Sequence, residues 1–333
     1  MKLRIRQISE SAFTVQGHGV HTAFVEMVAA LRHHKDCEVI VNHRAKVDIT
    51  HIHTIGIYSL AYLLLGSGKK VVSAHVIPES FIGSLVGAQY WMPLARWYVR
   101  WFYNRADVVV AVSESTKQAL VFLGVKSPIN VIHNMIDTSQ YLSDAGSKER
   151  ARKKLGIATD AWMVIGAGQV QPRKRVDSFI KTASQLPDSV FYWIGGMPFG
   201  KVAAEHSEME HMIEVAPANV YFPGVIALDE MKHYYQAADV FFLPSEQETF
   251  GLVVVEAAAS GLPVMLRDIP DYDETFRRDA VMASEENFAS SLRMLRQDAH
   301  AYDKAKTAAH RIAQRFDSKT ISEQVLDLYM NLL

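Results

Sequence analysis

The chain has 333 residues, 49% of them hydrophobic and 21% charged, enough to bury two cores, so two domains are favoured over one. A single cysteine, Cys37, excludes a disulfide framework within the chain and any cysteine-rich zinc site, and points to a reducing compartment. The net charge of −1 is uneven: residues 1–110 carry twelve Lys or Arg against seven Asp or Glu, a balance of +5 that leaves −6 for the rest. These basic residues are not interleaved along one continuous patch, so nucleic acid is not an expected partner.

The opening MKLRIRQISESAF alternates like a first strand and lacks the apolar core of a signal peptide. Strands are expected over 2–8, 38–42, 49–53, 70–75, 108–112 and 130–133, alternating with helical stretches that include 23–32 and 116–123. GHGV at 17–20 follows the first strand, and Gly17 and Gly19 either let the backbone approach a ligand or simply make a turn. His51 and His53 share one strand face; with no third ligand placed, a packed pair is favoured over a metal site. The longest apolar run, 55–65, is too short to span a bilayer, so the protein is expected to be soluble or to lie on a membrane. GSGKK at 66–70 lacks the earlier glycine and the following Ser or Thr of a phosphate loop and reads as a turn.

His75 closes the strand VVSAH, where a purely structural role is the usual alternative to a functional one. In YWMPLARWYVRWFYNR, 90–105, a helix after Pro93 sets Trp97 and Trp101 four apart and Arg96 and Arg100 likewise, giving adjacent aromatic and cationic stripes. Such a face suits an anionic membrane surface, or else a core helix whose arginines snorkel to solvent. Phe81, Ile82, Leu85 and Val86 are further candidates for exposed apolar residues.

The pattern then restarts. The polar segment 144–154 reads as a linker leading into a helix; strands follow at 162–167, 190–195, 220–222, 240–243 and 263–266, with helices at 176–185, 228–237 and 252–260. Two βα series imply an α/β protein of two doubly wound domains facing across a cleft, 1–145 and 146–315, with 316–333 a helix placed to cross back to the first. D-Y-D at 271–273 resembles a metal-holding D-x-D, but lies in a loop just after a strand. In ETFGLVVVEAAASGLP, 248–263, Glu256 sits in a helix that is apolar on every face, so its carboxylate must find donors, from a neighbouring amide or Arg or from a ligand. The loop before it lies between a strand's carboxyl end and a helix's amino end, where anions bind.

Glu248 and Glu256, followed by Gly261-Leu-Pro-Val, resemble the E-x7-E motif of the family-4 retaining glycosyltransferases, which have the GT-B fold of two Rossmann-like domains. GQVQPRK at 168–174 is similar to that family's G-R-x-x-P-x-K loop, NMID at 134–137 to its N-G-V-D turn, and VSE at 112–114 to its strand-end serine. The likeness covers nearly the whole chain. It implies that Glu248 contacts donor-sugar hydroxyls, Glu256 the ribose in place of any protein partner, Lys174 the diphosphate, and Phe250, Gly251 and Leu252 the phosphates through backbone amides. Gln169 stands where the family usually has an arginine, which leaves two readings: Arg173 compensates, or diphosphate binding is weaker. Gly17 and Gly19 belong to the loop at the donor phosphate and acceptor, and His75 to the histidine at the sugar.

HGVHTAFVEMVAAL, HVIPESFIGSL and GQVQPRK look like the bacterial synthases that add a second hexose to a monoglycosyl diacylglycerol. That resemblance implies retaining transfer from UDP-glucose or UDP-galactose to a diacylglycerol-type glycolipid, without metal or other cofactor. The enzyme would be cytoplasmic and peripheral on the inner face of the cell membrane. The alternatives are a soluble family-4 enzyme acting on a polysaccharide or small molecule, and a non-catalytic nucleotide-sugar binding protein.

Overall fold

The computed structural model describes residues 2–13, 19–78, 88–197 and 206–333. Gly17 and the apolar candidates Phe81, Ile82, Leu85 and Val86 lie outside them. By their contacts the described residues form two compact units: unit 1 runs to Asp137 and takes up Phe316–Leu333, and unit 2 is Thr138–Arg315.

Unit 1 holds the strands β1 (Leu3–Ile8), β2 (Cys37–Val41), β3 (Ile49–Ile52), β4 (Lys69–Ala74), β5 (Val108–Ala111) and β6 (Ile129–Val131). They form one parallel sheet in the order β2-β1-β3-β4-β5-β6, so the strand order reverses between β1 and β3. Alternate residues feed opposite faces, as a sheet covered on both sides requires. Ile5, Ile49, Val71, Val108 and Val110 pack with Met27 and Leu31 of α1 (Gly19–His33) and with Ile321, Val325, Leu328 and Tyr329 of α12 (Ser318–Leu332). Ile8, Ile52, Val72, Ala74, Val109 and Ala111 pack with Leu63 of α2 (Ile57–Leu65), Val99, Phe102 and Tyr103 of α3 (Ala88–Tyr103), and Leu120 of α4 (Glu114–Leu123). Each buried aliphatic side chain here contributes roughly 1.5–3 kcal/mol.

The apolar run at 55–65 is thus a short surface helix, its N-terminus capped by Glu10, which accepts from the amides of Gly56, Tyr58 and Ser59 at 2.7–3.2 Å. No helix of the described residues is long and apolar enough to cross a membrane. In the 66–70 turn the Lys70 ammonium donates to the carbonyls of Gly66 and Gly68, 2.8 and 2.6 Å, the reverse of a phosphate cradle.

Unit 2 repeats the plan with β7 (Trp162–Ala167), β8 (Ser189–Ile194), β9 (Val220–Gly224), β10 (Val240–Leu243), β11 (Val264–Arg267) and β12 (Val281–Ala283), in the order β12-β11-β10-β7-β8-β9, all parallel. Its helices are α5 (Ser147–Leu155), α6 (Val176–Ser184), α7 (His206–Glu214), α8 (Leu228–Ala237), α9 (Leu252–Ala259), α10 (Phe288–Gln297) and α11 (Ala299–Arg315).

Three expectations are corrected. The polar segment 144–154 is mostly helix α5, not a linker: Arg152 is buried, pairs with Asp239 at 2.9 Å and donates to the Ala237 carbonyl. For the same reason the division between units falls at 137/138 and not 145/146, since Tyr141 packs near Tyr235 and Leu142 and Ser143 hydrogen-bond within unit 2. Helix α3 begins at Ala88, ahead of Pro93, which sits inside it on the exposed side.

Candidate active site

Unit 2 reverses its strand order between β7 and β10, and a parallel sheet opens a ligand crevice at the carboxyl ends of the strands flanking such a point. The two loops leaving those strands are 168–175 and 244–251, and they carry Gln169, Arg173, Lys174, Glu248, Phe250 and Gly251. Gly168, at φ +138°, turns the chain off β7 in a conformation L side chains rarely adopt; a Cβ there would lie 3.3 Å from Cε of Lys174. Pro172–Lys174 is a single 3-10 turn that directs Lys174 inward. Gly251, at φ +95°, starts α9 without a side-chain cap.

Lys174 and Glu248, both expected to touch the donor, touch each other: Nζ donates to Oε1 in a buried ion pair. The guanidinium of Arg173 adds a second charge 3.8 Å from Oε2, and the Glu248 amide donates to the Asp271 carboxylate at 2.8 Å. Burial pushes the Glu248 carboxyl up, but Lys174 and Arg173 outweigh it and hold the group below its ordinary range. Burial also brings the Lys174 ammonium down; Glu248 opposes that and Arg173 adds to it. An ionised, desolvated carboxylate beside two cations is thus fixed at the switch point.

Arg173 donates to the Gln171 side chain at 3.2 Å and Gln171 to Gln169 at 2.7 Å, so the position that lacks the usual arginine is tied through one amide to the neighbouring guanidinium. Each carboxylate of the D-Y-D stretch, Asp271 and Asp273, has a partner in the protein. The first accepts the Glu248 amide and the second pairs with Arg277 at 2.6 Å.

Helix α9 buries Leu252, Val254, Val255 and Ala257–Ala259 together with Glu256, as its apolar sequence implies. The expectation that a ligand takes the place of any protein partner for Glu256 is corrected, because the fully buried Tyr235 hydroxyl of α8 donates to its Oε2 at 2.8 Å. Phe250 is buried with its ring 5.6 Å from that of Phe276, and Leu252 is buried beside it in sequence.

In unit 1, Gly19 is the exposed first residue of α1, and a Cβ there would meet nothing within 4 Å. His75, half-buried just past β4, stacks on His53 with ring centroids 5.5 Å apart and faces its Nδ1 with Nε2 at 3.3 Å. On α3, Arg96, Trp97 and Arg100 are exposed, Trp97 by 54%. Trp101 departs from the open stripe: it is half-buried against the core, stacked on Trp97, with the Arg105 guanidinium 4.9 Å over its ring. Leu94, 66% exposed one turn before Trp97, was not singled out by the sequence, although its three-residue spacing from Trp97 marks it.

The glycosyl transferases group 1 family model matches residues 147–311 and the glycosyltransferase family 4 model residues 23–140. The alpha-galactosylglucosyldiacylglycerol synthase of Streptococcus pneumoniae is 34% identical over 277 residues, 81% of this chain and 74% of that protein. The chain belongs to the family-4 glycosyltransferases. A processive diacylglycerol alpha-glucosyltransferase of Acholeplasma laidlawii is 30% identical over 250 residues, 74% of this chain and 72% of that one. Among solved structures, Anabaena HepE in complex with UDP and glucose superposes with a TM-score of 0.80 at 18% identity, covering 99% of this chain and 100% of that one. Sucrose-phosphate synthase from Thermosynechococcus elongatus gives 0.81 at 17% identity, covering 99% of each.

This glycosyltransferase therefore has the GT-B fold, with one Rossmann-like domain in each unit. Sequence reasoning missed Tyr235 and the Asp271 contact. Tyr235 lies in a helix whose apolar residues read as ordinary core, and only the tertiary fold brings its hydroxyl to Glu256. The Asp271 contact joins two loops that are separate in sequence.

Proposed function

We propose that this glycosyltransferase moves a hexose, with retention at the anomeric carbon, from UDP-glucose or UDP-galactose to a membrane glycerolipid such as monoglucosyl diacylglycerol. The observation that carries the donor site is the buried Lys174–Glu248 pair at the switch point of unit 2. The acceptor class rests on the synthase of S. pneumoniae and the diacylglycerol glucosyltransferase of A. laidlawii, whose names state glycerolipid chemistry.

In the reaction the bond from C1 to the β-phosphate oxygen breaks, its electron pair leaving with UDP. An acceptor hydroxyl oxygen bonds to C1 on the same face, and its proton passes to the departing phosphate. Stabilising the charge on that phosphate is the main demand. Lys174 and Arg173 meet it, with Arg173 standing in for the arginine absent at Gln169 and the amides of Phe250, Gly251 and Leu252 assisting. Glu248 holds sugar hydroxyls and Glu256 the ribose, while Gly17, Gly19 and His75 complete the sugar and acceptor contacts. No metal or other cofactor takes part. The exposed Trp97, Leu94, Arg96 and Arg100 support a peripheral seat on the anionic cytoplasmic face of the cell membrane, with Trp101 bracing Trp97.

The test offers radiolabelled UDP-glucose or UDP-galactose with diacylglycerol or monoglucosyl diacylglycerol in anionic vesicles. Label is expected in the lipid phase, at least about a hundredfold lower in Glu248→Ala, the scale of losing a group that stabilises the transition state. Transfer only to soluble acceptors without vesicles would replace the lipid reading, and UDP binding with neither transfer nor hydrolysis would make the protein a binder. Flotation with the same vesicles is expected to fall when Trp97, Arg100 and Trp101 are replaced by Ala; unchanged flotation removes the anchor.

A further inference from the structure

Beneath His75 a line of polar side chains runs through the α1- and α12-facing side of the unit 1 sheet, where apolar packing is otherwise the rule. Gln7, His51, His53, Ser73 and Tyr329 are all buried. The Gln7 amide donates to the Tyr329 hydroxyl at 3.2 Å, and its Oε1 lies 2.7 Å from Nε2 of His53. Tyr329 also meets Nδ1 of His51 at 2.5 Å, and Nε2 of His51 meets the Ser73 hydroxyl at 2.8 Å.

The donor sense follows from the chemistry of each atom. A carbonyl oxygen only accepts, so Nε2 of His53 must carry a proton. Burial and the neighbouring rings lower the basicity of both His51 and His53, which stack 4.5 Å apart, so each keeps one proton. His53 Nδ1 is then an acceptor, and the group opposite it is Nε2 of His75. Likewise Tyr329, accepting from Gln7, gives its own proton to His51, whose Nε2 proton goes to Ser73.

We infer that Tyr329, Gln7 and His53 are positioning residues that fix His75 with its proton on Nε2 and its ring stacked on His53. The inference rests on the reading that places His75 at the donor sugar, and it adds a cause for the ring's tautomer: an amide two links away on the first strand, oriented by the hydroxyl of the last helix. The opposite orientation of the Gln7 amide would reverse every proton along the line and leave Nε2 of His75 bare.

Nitrogen NMR on the full chain labelled with 15N-histidine, with His75 assigned by loss of its signals in His75→Gln, tests this directly. The wild-type protein is expected to show neutral His75 protonated at Nε2; a proton on Nδ1 instead overturns the inference before any variant is made. In Tyr329→Phe and in Gln7→Met the His75 signals are expected to shift towards a mixture of tautomers. For those variants kcat should fall about tenfold, the scale on which loss of an outer partner is felt at an oriented histidine, with KM for the donor unchanged. Unaltered His75 signals in both variants overturn the inference, whatever the activity. Altered signals with undiminished kcat overturn it too when His75→Gln is inactive. If His75→Gln itself turns over normally, the placement of His75 at the sugar is what has failed.

Discussion

Glu256 is held by a hydroxyl that offers one hydrogen bond inside a helix with almost no exposed surface. Tyr235→Phe removes that donor and nothing else, so it is expected to lower stability by about 1–3 kcal/mol, the cost of leaving a buried acceptor short of a partner, read as a shift of the urea midpoint at constant m-value. At this scale the sequence was informative about kinds of residue and silent about partners. The apolar run 248–263 shows that Glu256 is buried and must be satisfied; that Tyr235 is a satisfying group depends on where the fold sends a side chain of α8. The Lys174–Glu248 pair has the same character. Both residues are visible in their motifs, but their mutual neutralisation arises from two loops converging at one strand-order reversal, information carried by topology and not by spacing.

Elements were read most accurately where one pattern acts alone. Strands β7 and β10 and helix α8 coincide with their expected ranges, because each is a short run of apolar or periodic residues bounded by clear breaks. Helix α5 was misread because SKERARKK has no apolar stripe; what docks it is charge. Arg152 donates to the Ala237 and Thr159 carbonyls at 2.9 and 2.5 Å and pairs with Asp239, which also accepts from Lys148 and from the Met163 amide. Asp239→Ala leaves a buried guanidinium without its counter-charge and a strand amide without its acceptor, and is expected to destabilise unit 2 by about 3 kcal/mol, as breaking a buried pair does. Asp239→Asn, which keeps the amide's acceptor but not the charge, should lose less in the same denaturation experiment. Equal losses would show that the charge contributes nothing to docking α5.

For the whole molecule, acid should act on the two units at different points. His51 is held down to about 3 and His53 well below its ordinary value, both chiefly by burial. The unfolded chain therefore binds more protons than the folded one from about pH 6.5 downward, and the stability of unit 1 falls as pH drops through that window, by roughly 1.4 kcal/mol per pH unit for each such histidine. In unit 2 the depressed groups are carboxylates, Glu248 and Glu285 among them; their contribution is intact above the unfolded value near 4.5 and is lost only below it. Thermal scans at pH 5 are expected to show an earlier transition that belongs to unit 1, merging with the later one towards pH 7, and in His51→Phe the displacement of that transition between pH 5 and pH 7 is expected to shrink. A single transition at both pH values would show that these histidines do not set the acid limit.

Helix α12 supplies Ile321, Val325, Leu328 and Tyr329 to the core of unit 1, yet it follows all of unit 2 in the chain. A ribosome therefore releases the first sheet with one side covered by α1 alone, and Gln7 and His51 wait for the Tyr329 hydroxyl while the second sheet is being made. Unit 2 has its described strands and helices before that, so the second half of the gene encodes the part that can finish first, and a nascent chain stalled after Arg315 would present a completed second Rossmann-like unit joined to an amino-terminal sheet still lacking part of its cover.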